Sequence, residues 1–348
     1  MNGHECQGRP RERDHALARR RIDGVVLPEP SWLAAAGEPA ASAMDAIDEY
    51  FCAIVRANPA LRPRVGNPDE MRSNRMNRTL DLLKHRVTAP EAGVAESPHG
   101  GAVPALNEEA IVAADPDDPD DGEVAAAVLA NPGGIGIAVS YEAFAVKMLG
   151  SIRQDLIFAR QQRAAGRPPG WVSVPIVATS HTWENGKNEQ SHQDPTLAEA
   201  LLGEMSDVSR VAFPCDHNSA LATLRRVYRG RGEVWTLVVS KRPMPVRFSA
   251  EQAEALIDDG AARLRGTGRE RVCLIAVGAY QLAEALRACE RLGERGLASS
   301  VVYILEPGRF RAPRDAMEAA FIDGSTGGSD ADRRARFFPA CAEIRVLL

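Results

Sequence analysis

From Trp171 to Pro307 the sequence alternates short apolar runs with amphipathic segments. "WVSVPIVATS", "SRVAFP", "EVWTLVVS", "RVCLIAVG" and "ASSVVYILEP" read as strands. Between them, "PTLAEALLGEM", "DHNSALATLRRVYRG", "AEQAEALIDDGAARL" and "AYQLAEALRACERLGERG" read as helices. Strands that are apolar on both faces, separated by helices, fit a parallel sheet covered on both sides. The expected fold class is therefore α/β, a doubly wound, mostly parallel sheet. A break at Pro243–Ser249 separates it from a smaller α/β C-terminal unit.

The remaining chain fits around that frame. Residues 1–45 read as a disordered arm and a linker rich in Pro and Ala, 46–246 as the larger α/β domain and 247–348 as the smaller one. "AMDAIDEYFCAIVRA" carries helical periodicity, and a turn over "VGNPDEM" leads into a helix beginning near Ser73. Residues 89–122 are rich in Pro and Gly and end in the acidic tract "DPDDPDD", which reads as a solvated loop. "NPGGIG" reads as a turn before a long helix from about Tyr141 to Ala165. Residues 324–336 read as a flexible polar insert before a last strand, "AEIRVLL".

Composition removes several classes. The net charge of −5 and the lack of a basic stripe argue against nucleic acid. No apolar run approaches the ~20 residues needed to span a bilayer. The six cysteines show no C-x-x-C spacing, so neither a zinc site nor a disulfide framework is expected, and a cytoplasmic location fits. There is no P-loop and no G-x-S-x-G elbow.

Ligands of open α/β sheets gather beyond the carboxyl ends of the strands. Three strand ends deliver polar residues there: Thr179–Thr196, Cys215–Asn218 and Ser240–Arg242. For Asp216 and His217 the simpler reading is a helix cap. His192 and Lys241, taken alone, are equally compatible with a hydrogen-bonded loop imidazole and a solvated strand-end lysine.

"GNPDEMRSNRM" (66–76), "SYEAF" (140–144), "TSHTW" with "SHQDP" (179–195), "VAFPCDHNSAL" (211–221) and "VSKRPMPV" (239–246) together resemble the phosphoketolases. These are thiamine-diphosphate enzymes related to transketolase. The resemblance covers residues 26 to about 322 and corresponds to the family's pyrimidine-binding and C-terminal domains. It implies that His192, Asn188, Glu70 and His181 belong to the catalytic group, with His192 handling protons beside the cofactor. It implies that Phe144, Tyr141 and Asp117 face the cofactor, and that Ser73, Arg75, Lys187 and Lys241 face a sugar phosphate. The cofactors implied are thiamine diphosphate and Mg²⁺.

The family grips the diphosphate through Mg²⁺ with a Gly-Asp-Gly motif in a preceding domain, and this sequence contains no such motif. The expectation is a two-component enzyme, a heterodimer or heterotetramer with a separately encoded diphosphate-binding subunit that holds most of the metal contacts. The family's pyrimidine-activating glutamate falls by gapless counting near Asp117–Pro119, where Asp117 or Glu123 could substitute. "PGGIG" stands where the family has a Gly-Arg-His-Gly, and Lys187 stands where it has a histidine. Those changes point to an acceptor other than phosphate. They also leave open a degenerate, non-catalytic homologue that acts as a partner-binding subunit.

Overall fold

The structure is a computed structural model and describes residues 24–37, 39–68, 70–104, 134–166, 169–179, 192–324 and 330–348. Its frame is a sheet of eight strands, every adjacent pair parallel: β2 (Arg62–Gly66), β3 (His85–Arg86), β4 (Glu96–Ser97), β5 (Ala102–Val103), β6 (Gly134–Tyr141), β7 (Val174–Thr179), β8 (Ser209–Ala212) and β9 (Val234–Val238). The order across the sheet is β4-β3-β5-β2-β6-β7-β9-β8. The fully buried patterns of β7 and β9 match their largely apolar sequences, since helices cover both faces, and β8 is equally buried although it carries Ser209 and Arg210.

One face carries α1 (Ala43–Ala57) and α6 (His217–Arg229), which pack on each other and on the sheet in the main core. Ser42 opens α1 through a capping box with Asp45, and Asp216 opens α6 through one with Ser219. The other face carries the turn α3 (Glu142–Ala145), α4 (Leu149–Ala164) and α5 (Thr196–Leu202), with Ile152, Leu156, Leu197 and Leu201 against β6–β9. A short helix, α2 (Asn77–Leu83), follows the "NPDEMRSNR" segment.

A second sheet has the order β11-β13-β12-β14, from β11 (Ala261–Arg265), β12 (Val272–Val277), β13 (Ser299–Ile304) and β14 (Ile344–Leu347). β11 runs antiparallel to β13, and the other pairs are parallel. Its helices are α7 (Ala250–Asp259), α8 (Ala279–Glu294), α9 (Ala316–Gly324) and α10 (Asp330–Phe337). β1 (Pro39–Ala41) and β10 (Met244–Pro245) pair as a separate antiparallel ribbon.

Several elements differ from the sequence reading: the helix expected near Ser73 starts at Asn77 after a turn, the one expected from Tyr141 is interrupted at Val146–Met148, and β4 and β5 lie in the stretch read as a loop. "GIGIAVSY" is the central strand β6 rather than a turn, because a strand buried on both faces shows no period and its glycines imitate a loop. "RPRVG" is β2, with Pro63 opposite Ile135 beyond the reach of β5, so no ladder partner needs its missing N–H. The helix expected through Leu264 stops at Asp259. Gly260 turns left-handed (φ +75°) and the chain returns as β11. The polar insert at 324–336 contains α10.

The expected linker is tied down. Asn58 exchanges hydrogen bonds with both backbone groups of Val26, Asn218 does the same with Leu33, and the Tyr50 hydroxyl donates to the Pro28 carbonyl. Residues 24–37 thus form a strap across α1 and α6.

Candidate functional site

Parallel strands end on one side, and there the chain gathers its polar groups. Tyr141 closes β6, Thr179 closes neighbouring β7, and Lys241 follows β9, the next strand over. Beyond β2, Asn67 donates from Nδ2 to the Val139 carbonyl at 3.0 Å, which docks the "NPDEMRSNR" segment against β6. A tight turn over Met71–Arg75 then presents Ser73 and Asn74.

Four segments meet at Tyr141. Its hydroxyl shares a hydrogen bond with the Ser73 hydroxyl. Its ring stands edge-on to the His192 imidazole at 4.5 Å and to Phe144 at 5.8 Å. Phe144 and His192 lie 5.0 Å apart, so the three rings form one cluster. The Lys241 ammonium sits 4.8 Å from the centroid of Tyr141, and the Lys147 ammonium 5.4 Å from that of Phe144. Two cations flank the rings, an arrangement held by the ring quadrupoles and suited to an anionic ligand. Tyr141, Phe144, His192 and Lys241 are all partly exposed.

Buried contacts hold the cluster in place. The Thr179 hydroxyl donates to Asn74 Oδ1, and Asn74 Nδ2 donates to the Glu70 carbonyl at 3.2 Å. Asn74 and Thr179 are wholly buried, so this link between the turn and the end of β7 is shielded from water. Buried Glu142 accepts the Asp194 N–H at 3.1 Å, and the His192 carbonyl accepts the Ala143 N–H at 3.2 Å. These two bonds fix the turn carrying His192 onto the start of α3. Asn74, Thr179 and Glu142 were not singled out from sequence, because they act through backbone and buried partners.

Other expected residues fall elsewhere. Glu70 is exposed, and its carbonyl, rather than its carboxylate, meets Ser73 and Asn74. Arg75 turns its guanidinium to Asp45 at 3.8 Å, on the first turn of α1. Asp216 caps α6 and accepts the Arg247 and Phe248 N–H groups, and His217 faces the Ser31 carbonyl, so this strand end is structural. Asp117, His181, Lys187 and Asn188 lie outside the described residues.

An aromatic heterocycle fits beside Phe144 and Tyr141, where offset or edge contacts with both rings are available. Among the described carboxylates next to the cluster, Glu142 is turned under the 192–195 turn and Asp194 accepts from Thr196. Among the described residues, no three His, Cys, Asp or Glu side chains gather as a metal site. No described helix is long and apolar enough to cross a membrane.

The sequence profile of D-xylulose 5-phosphate/D-fructose 6-phosphate phosphoketolase matches residues 45–230, the segment that builds most of this cluster. The chain belongs to the phosphoketolase family. Members of this family are thiamine-diphosphate enzymes related to transketolase. A probable phosphoketolase of Lactococcus lactis is 27% identical over 293 residues, covering 79% of this chain and 33% of that protein. A xylulose-5-phosphate phosphoketolase of Lactiplantibacillus pentosus is 26% identical over 215 residues, covering 61% and 26%. The chain thus spans about a third or less of the length of these relatives. In fold it is similar to the transketolase of Leishmania mexicana, with a TM-score of 0.63 at 18% identity over 90% of this chain and 39% of that one.

Proposed function

We propose that this chain supplies the pyrimidine-facing wall of a thiamine-diphosphate site in a two-component, phosphoketolase-like enzyme. That enzyme would cleave a ketose phosphate and pass a two-carbon unit to an acceptor other than phosphate. The observation that carries the reading is the Ser73–Tyr141–Phe144–His192–Lys241 cluster, formed on the sheet rim by four of the sequence blocks that resemble the family. The opposing wall, with a Gly-Asp-Gly motif and most of the Mg²⁺ contacts, would come from a separately encoded subunit in a heterodimer or heterotetramer.

When bound, thiamine diphosphate supplies the electron sink that lets a carbon–carbon bond beside a ketone break. The protein's part is binding and proton placement. Phe144 and Tyr141 offer ring surface to the pyrimidine. Lys241, Ser73 and the Tyr141 hydroxyl converge where a phosphate can accept their hydrogen bonds. His192 is positioned to take a proton from a substrate hydroxyl and return it, a task suited to imidazole. Asp117 is the acid proposed to activate the pyrimidine, and Lys187 and Asn188 would face the acceptor.

The test is co-expression with the protein encoded next to this one that carries Gly-Asp-Gly and a downstream Asn. Cleavage of xylulose 5-phosphate is expected only with both chains, thiamine diphosphate and Mg²⁺, and is expected to depend on an added aldose phosphate rather than on inorganic phosphate. Turnover by this chain alone would refute the two-component reading. A stable complex without turnover under any acceptor would favour a non-catalytic partner subunit.

A further inference from the structure

Away from the ring cluster, a cavity of about 380 Å³ opens where α7, β11 and the end of α10 meet. Its floor is apolar, from Phe248, Leu256 and Phe337, and its polar wall is Arg247, Gln252, Asp259, Arg263 and Arg336. Three guanidinium groups against one carboxylate is an unbalanced wall. Asp259 pairs with Arg336 at 2.8 Å. Among the described residues Arg263 donates to the Thr267, Arg336 and Phe337 carbonyls, which brings no negative charge, and its buried Nε has no partner there. The Arg247 backbone is fixed by Asp216, yet no carboxylate pairs with its guanidinium among the described residues. Arg247 also lines an adjoining cavity of about 250 Å³ beside the strap residues Ala35–Gly37, so its side chain has room to turn.

We infer that this cavity binds a small phosphomonoester with an apolar body. Two guanidinium groups without a counter-ion among the described residues match the double charge of a phosphate, whose oxygens accept from their planar forks, and the Phe248–Leu256–Phe337 floor gives the rest of the molecule a dry surface. The volume lies within the range of small-molecule pockets. The inference does not depend on the proposed catalytic reading, because the cavity is built by α7, β11 and the end of α10 and shares no residue with the ring cluster.

The test is calorimetric titration of the full chain with phenyl phosphate, and with phenol, benzoate and inorganic phosphate as controls. Saturable one-to-one binding of phenyl phosphate is expected, with each control at least about tenfold weaker. Arg247→Gln should weaken phenyl phosphate by about tenfold or more, whereas Lys241→Ala, in the other site, should leave it unchanged. Should Arg247→Gln not fold, Arg247→Lys serves, since it keeps the charge, loses the fork and should still weaken binding several-fold. No saturable binding, a phosphate or benzoate affinity equal to that of phenyl phosphate, or sensitivity to Lys241→Ala in place of the Arg247 variants would each overturn the proposal.

Discussion

Glu306→Gln tests how the two sheets are joined. Arg210, on the edge strand β8, is fully buried, and its Nε and Nη2 donate to the two carboxylate oxygens of Glu306, just past β13. Arg309 Nε donates to the same carboxylate at 2.8 Å, and Arg210 Nη1 reaches Glu233 at 3.2 Å. The Arg210 guanidinium also stacks near Trp235 and Phe321, at 4.1 and 4.5 Å from their centroids. Burial alone would push the Glu306 carboxyl up, but Arg210 and Arg309 outweigh it and hold it from its ordinary 4.5 down to about 2. At about 1.4 kcal/mol per pH unit, that shift corresponds to ~3 kcal/mol of stability from the ionised form. A single broken buried pair costs about 3–5 kcal/mol, which agrees. A depressed folded value means the contribution is complete above the unfolded value and is lost as pH falls through about 2. Glu306→Gln should therefore lower the urea unfolding free energy by about 3 kcal/mol at pH 7, and the gap to wild type should narrow as the pH is lowered from about 5 toward 2. A loss under about 0.5 kcal/mol at pH 7, or a gap that stays constant down to pH 3, would show that the network does not join the sheets in this way.

His192→Ala should leave folding unchanged and lower turnover of the assembled enzyme at least ~100-fold, the usual scale for a lost proton-transfer group; steady-state kinetics on the complex checks it. Asp155, on α4, has a buried carboxylate oxygen without a partner, and burial raises its carboxyl from 3.8 to about 7. Its ionisation is therefore easier in the unfolded chain, and stability should fall as pH rises from about 4 to about 7. Asp155→Asn should stabilise the protein by up to ~4 kcal/mol at pH 8 and hardly at all at pH 4, measured by thermal melts at both. Gly260 adopts φ +75°, and an added Cβ would lie 2.8 Å from the Arg309 side chain, which is itself held by Glu306. Gly260→Ala should cost about 1–3 kcal/mol, and a double-mutant cycle with Glu306→Gln should be non-additive.

Much of the second half of the chain was legible because short, mostly apolar strands alternate there with amphipathic helices. β7, β8, β9, β12 and β13 are short apolar runs, and Asp216 and Ser249 mark their helices with capping boxes. The centre of the large sheet was not legible for the same physical reason that makes it central. β6 is buried on both faces and so has no alternation, and its glycines carry no side-chain signal. β11 was hidden because "GAARL" continues a helical pattern, and only the left-handed turn at Gly260 ends it. At the site, the sequence blocks indicated Ser73, Tyr141, Phe144, His192 and Lys241, which meet in space. The same blocks also carry Glu70, which is exposed, and Arg75, whose guanidinium turns to Asp45, because neighbours in sequence on a tight turn point to different sides.

That turn explains why the block is built as it is. Arg75 is one of two non-glycine residues with positive φ among the described residues, at +58°, a conformation that costs an L-residue about 1–2 kcal/mol. Such a conformation persists only where its surroundings over-determine it. Here Met76 N–H returns to the Met71 carbonyl, Asn74 is bonded to Thr179 and to the Glu70 carbonyl, and Arg75 reaches Asp45. A glycine at 75 would relieve the backbone but lose the anchor to α1. The chain instead keeps a side chain there, and the geometry this preserves is the one that sets Ser73 against the Tyr141 hydroxyl. The strain at Arg75 and the Ser73–Tyr141 hydrogen bond are thus two ends of one arrangement, a loop bent to carry a hydroxyl to the rim of a parallel sheet.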